Sequence, residues 1–243
     1  MKNVTRRGFF KTAGSAALVG AAIPAPGLIY AAPSPAPAPM SMGGDGASMD
    51  MEQDGHGKPY VFFNPGEAAF VEAAIARLIP ADENCPGAFE ADVAIYIDRQ
   101  LGGAWGAGER FYADGPWQQG AKTQGYQLPF APGAFFRRCL VAIQRHLSEQ
   151  PVEFGMRAAS EQDAWLKRLE ANELDLDSIP SGLFFDQLLQ LTVEGFFADP
   201  IYGGNKNMAS WKALGFPGAY ASYYDEVDRH GVKFMRAPMS IGS

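Results

Sequence analysis

Cysteine and histidine are scarce in this sequence: the only examples are Cys85 and Cys139, and His56, His146 and His230. The histidines lie far apart, each readable as a tether, helix-surface or C-terminal loop residue, so no metal-ligand set forms. His146 stands beside Arg145 on a polar helix face, where a solvated side chain is expected. Without a C-x-x-C-H there is no covalent haem attachment. The glycines of residues 102–108 follow no strand and do not fit G-x-G-x-x-G, and no Walker loop, G-x-S-x-G elbow or H-E-x-x-H occurs. The sequence therefore offers no catalytic residue and no cofactor fingerprint of its own.

Three further shortages narrow the fold and the partners. Short β-branched runs bounded by turns are missing, which excludes an all-β or doubly wound architecture. No run approaches the roughly 20 strongly apolar residues that a spanning helix needs. Basic clusters are missing beyond the first few residues. Setting aside the leader's Lys2, Arg6, Arg7 and Lys11 takes the net charge from −7 to −11. A chain so acidic has no face for nucleic acid or for an anionic membrane surface.

What is present begins with Thr5-Arg6-Arg7-Gly8-Phe9-Phe10-Lys11, followed by a modestly apolar Ala13–Ile23 run and small residues at Ala31 and Ala32. That is the layout of a secretory leader. The pair Arg6-Arg7, with Phe9 and Lys11, marks it as a twin-arginine signal over residues 1–32, which hands the chain to the twin-arginine translocase. A periplasmic location is expected. That route carries proteins already folded, often with a cofactor or partner, so either this chain holds a cofactor or it travels with something that does.

Residues 33–59 are Pro/Ala-rich and then Gly/Asp/Met-rich, and read as a flexible tether. Met40, Met42, Met49 and Met51, with His56, could hold Cu(I) through soft thioethers. The irregular spacing, with no cysteine joining the set, favours a plain tether. Residues 60–243 read as one mainly α domain with long ordered Gly/aromatic loops. Asn64-Pro65-Gly66-Glu67 is a capping box with proline at the first helical position. Phe70, Val71, Ala74, Ile75, Leu78 and Ile79 then recur at helical spacing, and Pro80 stops the helix. Val93, Ile97 and Leu101 mark a second helix ending at Gly102-Gly103. Phe136, Leu140, Ile143 and Leu147 mark another. Ser160-Glu161-Gln162-Asp163 opens a further one, and Ser181 precedes a helix through Phe184, Leu188, Leu191 and Gly195.

An even pair of cysteines in an exported protein suggests a Cys85–Cys139 disulfide, with two buried thiols or pairing to another chain as the alternatives. The segment from Gly195 to Gly218 is too rich in Gly, Pro and aromatics for an ordinary helix connection. Asp199-Pro200 and Gly203-Gly204-Asn205 supply its turns. Phe196, Phe197, Tyr202, Trp211, Phe216 and Pro217 around Gly203, Gly204 and Asn205 form a candidate partner interface, because aromatic side chains bury much area at low entropic cost. Part of that aromatic set is expected to close the chain's own core instead.

That segment, with Leu78-Ile79-Pro80-Ala81-Asp82, Pro86-Gly87-Ala88 and Tyr96-Ile97-Asp98, resembles the small subunit of gluconate 2-dehydrogenase type complexes (subunit 3). The resemblance spans roughly Phe63 to Tyr224. It implies a non-catalytic small subunit without a cofactor, assisting the folding, assembly and export of a flavoprotein of the glucose–methanol–choline type that lacks its own signal. A multihaem cytochrome c subunit would take the electrons toward quinone, so FAD and haem c belong to the partners, and membrane association comes through them. Related complexes oxidise gluconate, fructose, sorbitol, glucose or other polyols. The alternatives are a free-standing periplasmic binding or copper-handling protein and, more weakly, an oxidoreductase acting alone.

Overall fold

The structure is a computed structural model that describes residues 59–242 apart from 113, 119, 122 and 123. The leader residues Arg6, Arg7, Phe9 and Lys11, the methionines of the tether and His56 lie outside the described residues. Among those described, seven α-helices and one two-residue hairpin surround a single apolar core. No described helix is long and apolar enough to cross a membrane.

Helix α1 runs Pro65–Leu78 and begins as the capping box dictates: the Asn64 side chain accepts from the Glu67 amide at 2.9 Å, and Glu67 accepts from the Asn64 amide at 3.0 Å. Reciprocal caps of this kind satisfy donors that a helix start leaves without partners. Phe70, Val71, Ala74 and Ile75 are buried as their spacing requires, while Leu78 and Ile79 are half-buried where the chain turns at Pro80. Helix α2 (Val93–Gly102) buries Val93, Ile97 and Leu101. It is followed directly by the one-turn α3 (Ala104–Ala107). Gly106 lets α3 fold back, since a Cβ there would fall 1.9 Å from the Leu101 carbonyl oxygen.

Helices α4 (Pro132–Ser148), α5 (Ala159–Glu170) and α6 (Ser181–Phe197) complete the main layer. Phe136, Leu140 and Ile143 of α4 and Phe184, Leu188, Leu191 and Gly195 of α6 all turn inward. Helix α5 starts one residue before the expected Ser160. Ala158 is its cap and has no side-chain acceptor, so Glu161 alone closes the turn by accepting the Ala158 amide at 3.3 Å. A hairpin of β1 (Asp175–Leu176) and β2 (Ile179–Pro180) departs from the strand-free expectation. Asp177 and Ser178 at its tip both have positive φ, 54° and 69°, the geometry that joins two strands tightly. Two-residue strands are too short to leave an alternation in the sequence. His146, expected to be solvated, is partly covered and hydrogen-bonds through Nε2 to the Asp175 carbonyl at 2.7 Å, pinning the hairpin to α4.

A polar frame fixes the entry to the domain. The buried Asp98 carboxylate of α2 accepts the amides of Val61, Phe62 and Phe63 at 2.8, 2.8 and 2.9 Å. Arg137 of α4 donates to the buried Glu67 carboxylate and to the Phe62 carbonyl, with its guanidinium 4.1 Å from the Phe62 ring centre. The charges are thus buried only with partners, as desolvation demands.

The expected Cys85–Cys139 disulfide is corrected: both residues are free thiols. Cys139 is fully buried on α4, and burial first and the Asp177 carboxylate second push it up to about 12. Cys85 lies in the turn after α1, where its amide donates to Asp82 at 2.8 Å, and burial and the Asp82 charge push its thiol up. The two thiols have different neighbours, and the raised pKa keeps each in its unreactive protonated form.

Candidate functional site

The Gly/aromatic segment leaves the end of α6 and crosses the start of α2. Gly195 makes the crossing possible, because a Cβ there would fall 2.7 Å from Tyr96 Cδ1. Tyr96 itself is pushed up to about 12 by burial and then by Glu194, so it stays a neutral packing group. Asp199 caps a short 3₁₀ turn, Pro200–Tyr202, by accepting the Ile201 amide at 3.0 Å. Gly203 then takes φ 117°, and Asn205, Asn207 and Met208 take φ 48°, 58° and 56°. Such a run of left-handed residues explains the Gly/Asn composition.

Asn205 is the buried hub. Its Nδ2 donates to the Ala198 carbonyl at 2.9 Å, and its Oδ1 accepts from the Ser210 amide at 3.0 Å and the Ser210 hydroxyl at 2.7 Å. Gly204 packs so closely against α6 that a Cβ would fall 2.1 Å from the Gly195 carbonyl oxygen. The Lys206 amide donates to the Ala91 carbonyl at 3.1 Å, and its ammonium pairs with the buried Asp92 carboxylate at 3.1 Å. Helix α7 (Ala209–Leu214) follows, with the Trp211 indole donating to the Phe197 carbonyl at 2.9 Å and its ring edge-on to Phe216.

The candidate interface residues therefore divide. Phe196, Gly203, Gly204, Asn205 and Trp211 are buried in this chain and build the scaffold. Phe197 (42 % exposed), Tyr202 (52 %) and Phe216 (47 %) reach solvent, and Pro217 is half-buried. The surface they offer is aromatic area beside rigid backbone, which suits recognition of another protein by shape. Among the described residues, no three His, Cys, Asp or Glu side chains gather into a group that could hold a metal ion.

The sequence read Asp199 only as a turn residue and missed its second task. Its carboxylate also accepts the Ser240 hydroxyl at 2.6 Å and the Ile241 amide at 2.8 Å, fastening the C-terminal segment to the site. Burial alone would push this carboxyl up, but the hydrogen bonds from Ser240, Ile241 and Ile201 outweigh it and hold it below the usual 3.8. A carboxyl lowered on folding stabilises above its unfolded value and loses that contribution as pH falls through the lowered value. The fastening is thus expected to be intact at neutral and mildly acidic pH and to open only below about pH 4. In Asp199→Ala it is expected to be open throughout, with exchange of the Ile241 amide faster by about 100-fold, from two charge-assisted bonds of about 1.5 kcal/mol each. Unchanged protection of Ile241 in that variant would contradict the assignment.

The family model described as gluconate 2-dehydrogenase subunit 3 matches residues 65–218, from the first residue of α1 to the glycine that closes the aromatic segment. No curated protein and no solved structure matches the chain. The matched span takes in all seven described helices and the whole Gly195–Gly218 scaffold. The chain belongs to the gluconate 2-dehydrogenase subunit 3 family, and with it to the accessory subunits of dehydrogenase complexes.

Proposed function

We propose that this chain is the non-catalytic small subunit of a periplasmic FAD-dependent dehydrogenase acting on a sugar, sugar acid or polyol, and that it assists folding, assembly and twin-arginine export of the flavoprotein. The observation that carries the reading is the pairing, on one chain, of the Arg6-Arg7 signal with a domain of this family. Folded export serves proteins that acquire cofactors or partners before crossing the membrane. The exposed aromatics Phe197, Tyr202 and Phe216, held on a rigid scaffold, give the flavoprotein a surface to grip. FAD sits on that partner and haem c on a cytochrome subunit, through which the complex meets the membrane. In the variant with Arg6→Lys and Arg7→Lys, the flavoprotein is expected to stay in the cytoplasm together with this chain. Normal export of the flavoprotein in that strain overturns the reading.

A further inference from the structure

Beyond Gly218, where the family match ends, the chain makes an excursion and returns to its starting point. Gly218 and Met239 form a parallel bridge: the Ala219 amide donates to the Met239 carbonyl at 2.7 Å, and the Met239 amide donates to the Pro217 carbonyl at 3.1 Å. Gly218 has φ 80°, and a Cβ there would fall 2.3 Å from the Met239 carbonyl oxygen, so the closure requires glycine. Asp199 fastens Ser240 and Ile241 immediately after. Residues 219–239 are therefore a closed loop whose ends are held by Pro217, Gly218 and Asp199 of the aromatic segment.

The loop has a small core of its own. Tyr220, Tyr223 and Phe234 pack with ring centres 5.2–6.0 Å apart, and Arg236 lies 5.8 Å from the Tyr220 ring and 5.6 Å from the Phe234 ring. The Tyr220 hydroxyl donates to the Ala237 carbonyl at 2.7 Å, and Arg229 pairs with Glu226 at 3.3 Å. With that inner side satisfied, the outer side still shows Tyr224 (85 % exposed), Val227, Val232 and Met235 (79 %) to solvent. A loop that spends hydrogen bonds and ring contacts on its shape while leaving large apolar side chains uncovered has the anatomy of a contact surface.

We infer that the 219–239 loop is a docking arm for the catalytic flavoprotein subunit, an inference that rests on the reading of the chain as that protein's small subunit. Two features select this occupant. The loop is rooted at Asp199, Pro217 and Gly218, within the segment that carries the exposed Tyr202 and Phe216, and Ile201 of that segment also lies against Gly242 at the closure. Its charges cancel: Asp225, Glu226 and Asp228 against Arg229, Lys233 and Arg236, within a chain of net charge −7. A neutral apolar arm suits a protein surface, whereas an anionic membrane would call for an excess of Lys and Arg.

The test co-expresses the whole complex, purifies it through a tag on this chain, and measures the flavin absorbance recovered. One variant replaces residues 222–235 with two glycines. A second, Tyr224→Ser with Val232→Ser and Met235→Ser, leaves the loop in place in case the excision disturbs folding. Each is expected to lower flavin recovery by about tenfold or more, with the melting temperature of the purified chain within about 2 °C of the parent. Full flavin recovery with both variants overturns the inference while leaving the small-subunit reading intact. A parent chain that recovers no flavoprotein overturns that reading and the inference with it. A self-associating parent that turns monomeric in the variants yet keeps its flavoprotein makes a second copy the occupant, which also overturns the inference.

Discussion

Arg137→Ala is expected to be the most destabilising surface-accessible substitution in the domain, costing about 3 kcal/mol. The reason lies in what it abandons. Glu67 is 1 % exposed, and its carboxylate is held between the Asn64 amide and the Arg137 guanidinium. Removing the arginine leaves a buried charge with half its partners, and it also strips the donor from the Phe62 carbonyl and the cation from the Phe62 ring. For a domain of this size, that loss corresponds to a fall of about 6–12 °C in melting temperature. Arg137→Lys is expected to recover little, because one ammonium cannot serve the carboxylate, the carbonyl and the ring face together. A fall of less than about 2 °C for Arg137→Ala would show that Asp98 and the Asn64–Glu67 cap hold residues 61–67 without the arginine.

The second large effect concerns assembly rather than folding. Phe197→Ser, Tyr202→Ser and Phe216→Ser combined are expected to abolish co-purification of the flavoprotein while leaving the isolated chain folded. These rings are about half in solvent, so removing each one costs the isolated chain only about 1 kcal/mol. If each anchors the partner with about 2 kcal/mol, the combined loss is about 6 kcal/mol, or roughly four orders of magnitude in affinity. Trp211→Ala is the contrast. That indole is 6 % exposed and hydrogen-bonded to the Phe197 carbonyl, so its removal is expected to lower thermal stability first. The same loss of co-purification from Trp211→Ala and from the triple variant, at equal stability, would contradict this division.

The division also shows where sequence reasoning succeeds and stops. Local devices are legible. Asn64, Pro65 and Glu67 lie within four residues, and the rule that places them as a cap needs no knowledge of the rest of the chain. The inward faces of α2, α4 and α6 follow from a 3.6-residue period for the same reason. Features that depend on what lies opposite are not legible. Nothing near Asp98 in sequence says that it will collect three amides from residues 61–63, and nothing near Asp199 says that it will hold Ser240 and Ile241. The parity of two cysteines suggested a bridge, but parity carries no distance, and the thiols have different neighbours.

The candidate interface illustrates both sides. The composition of residues 195–218 announced a shaped loop, and the left-handed φ values at Gly203, Asn205, Asn207 and Met208 provide the shape. Which aromatics face inward is decided by where the end of α6 meets α2, an element far away in sequence, so Phe196 and Phe197 part company although they are neighbours. The loop of residues 219–239 left one signal, a density of tyrosines without helical period. That signal could not reveal that Gly218 and Met239 meet.

The measurement that bears most directly on the proposed role is the location of the flavoprotein when the leader of this chain is disabled. Cells producing the complex with Arg6→Lys and Arg7→Lys are fractionated, and both the flavoprotein and its dehydrogenase activity are assayed in the periplasm and the cytoplasm. The account predicts that both chains are retained in the cytoplasm and that periplasmic activity disappears. An active flavoprotein in the periplasm, with this chain left behind, would contradict it.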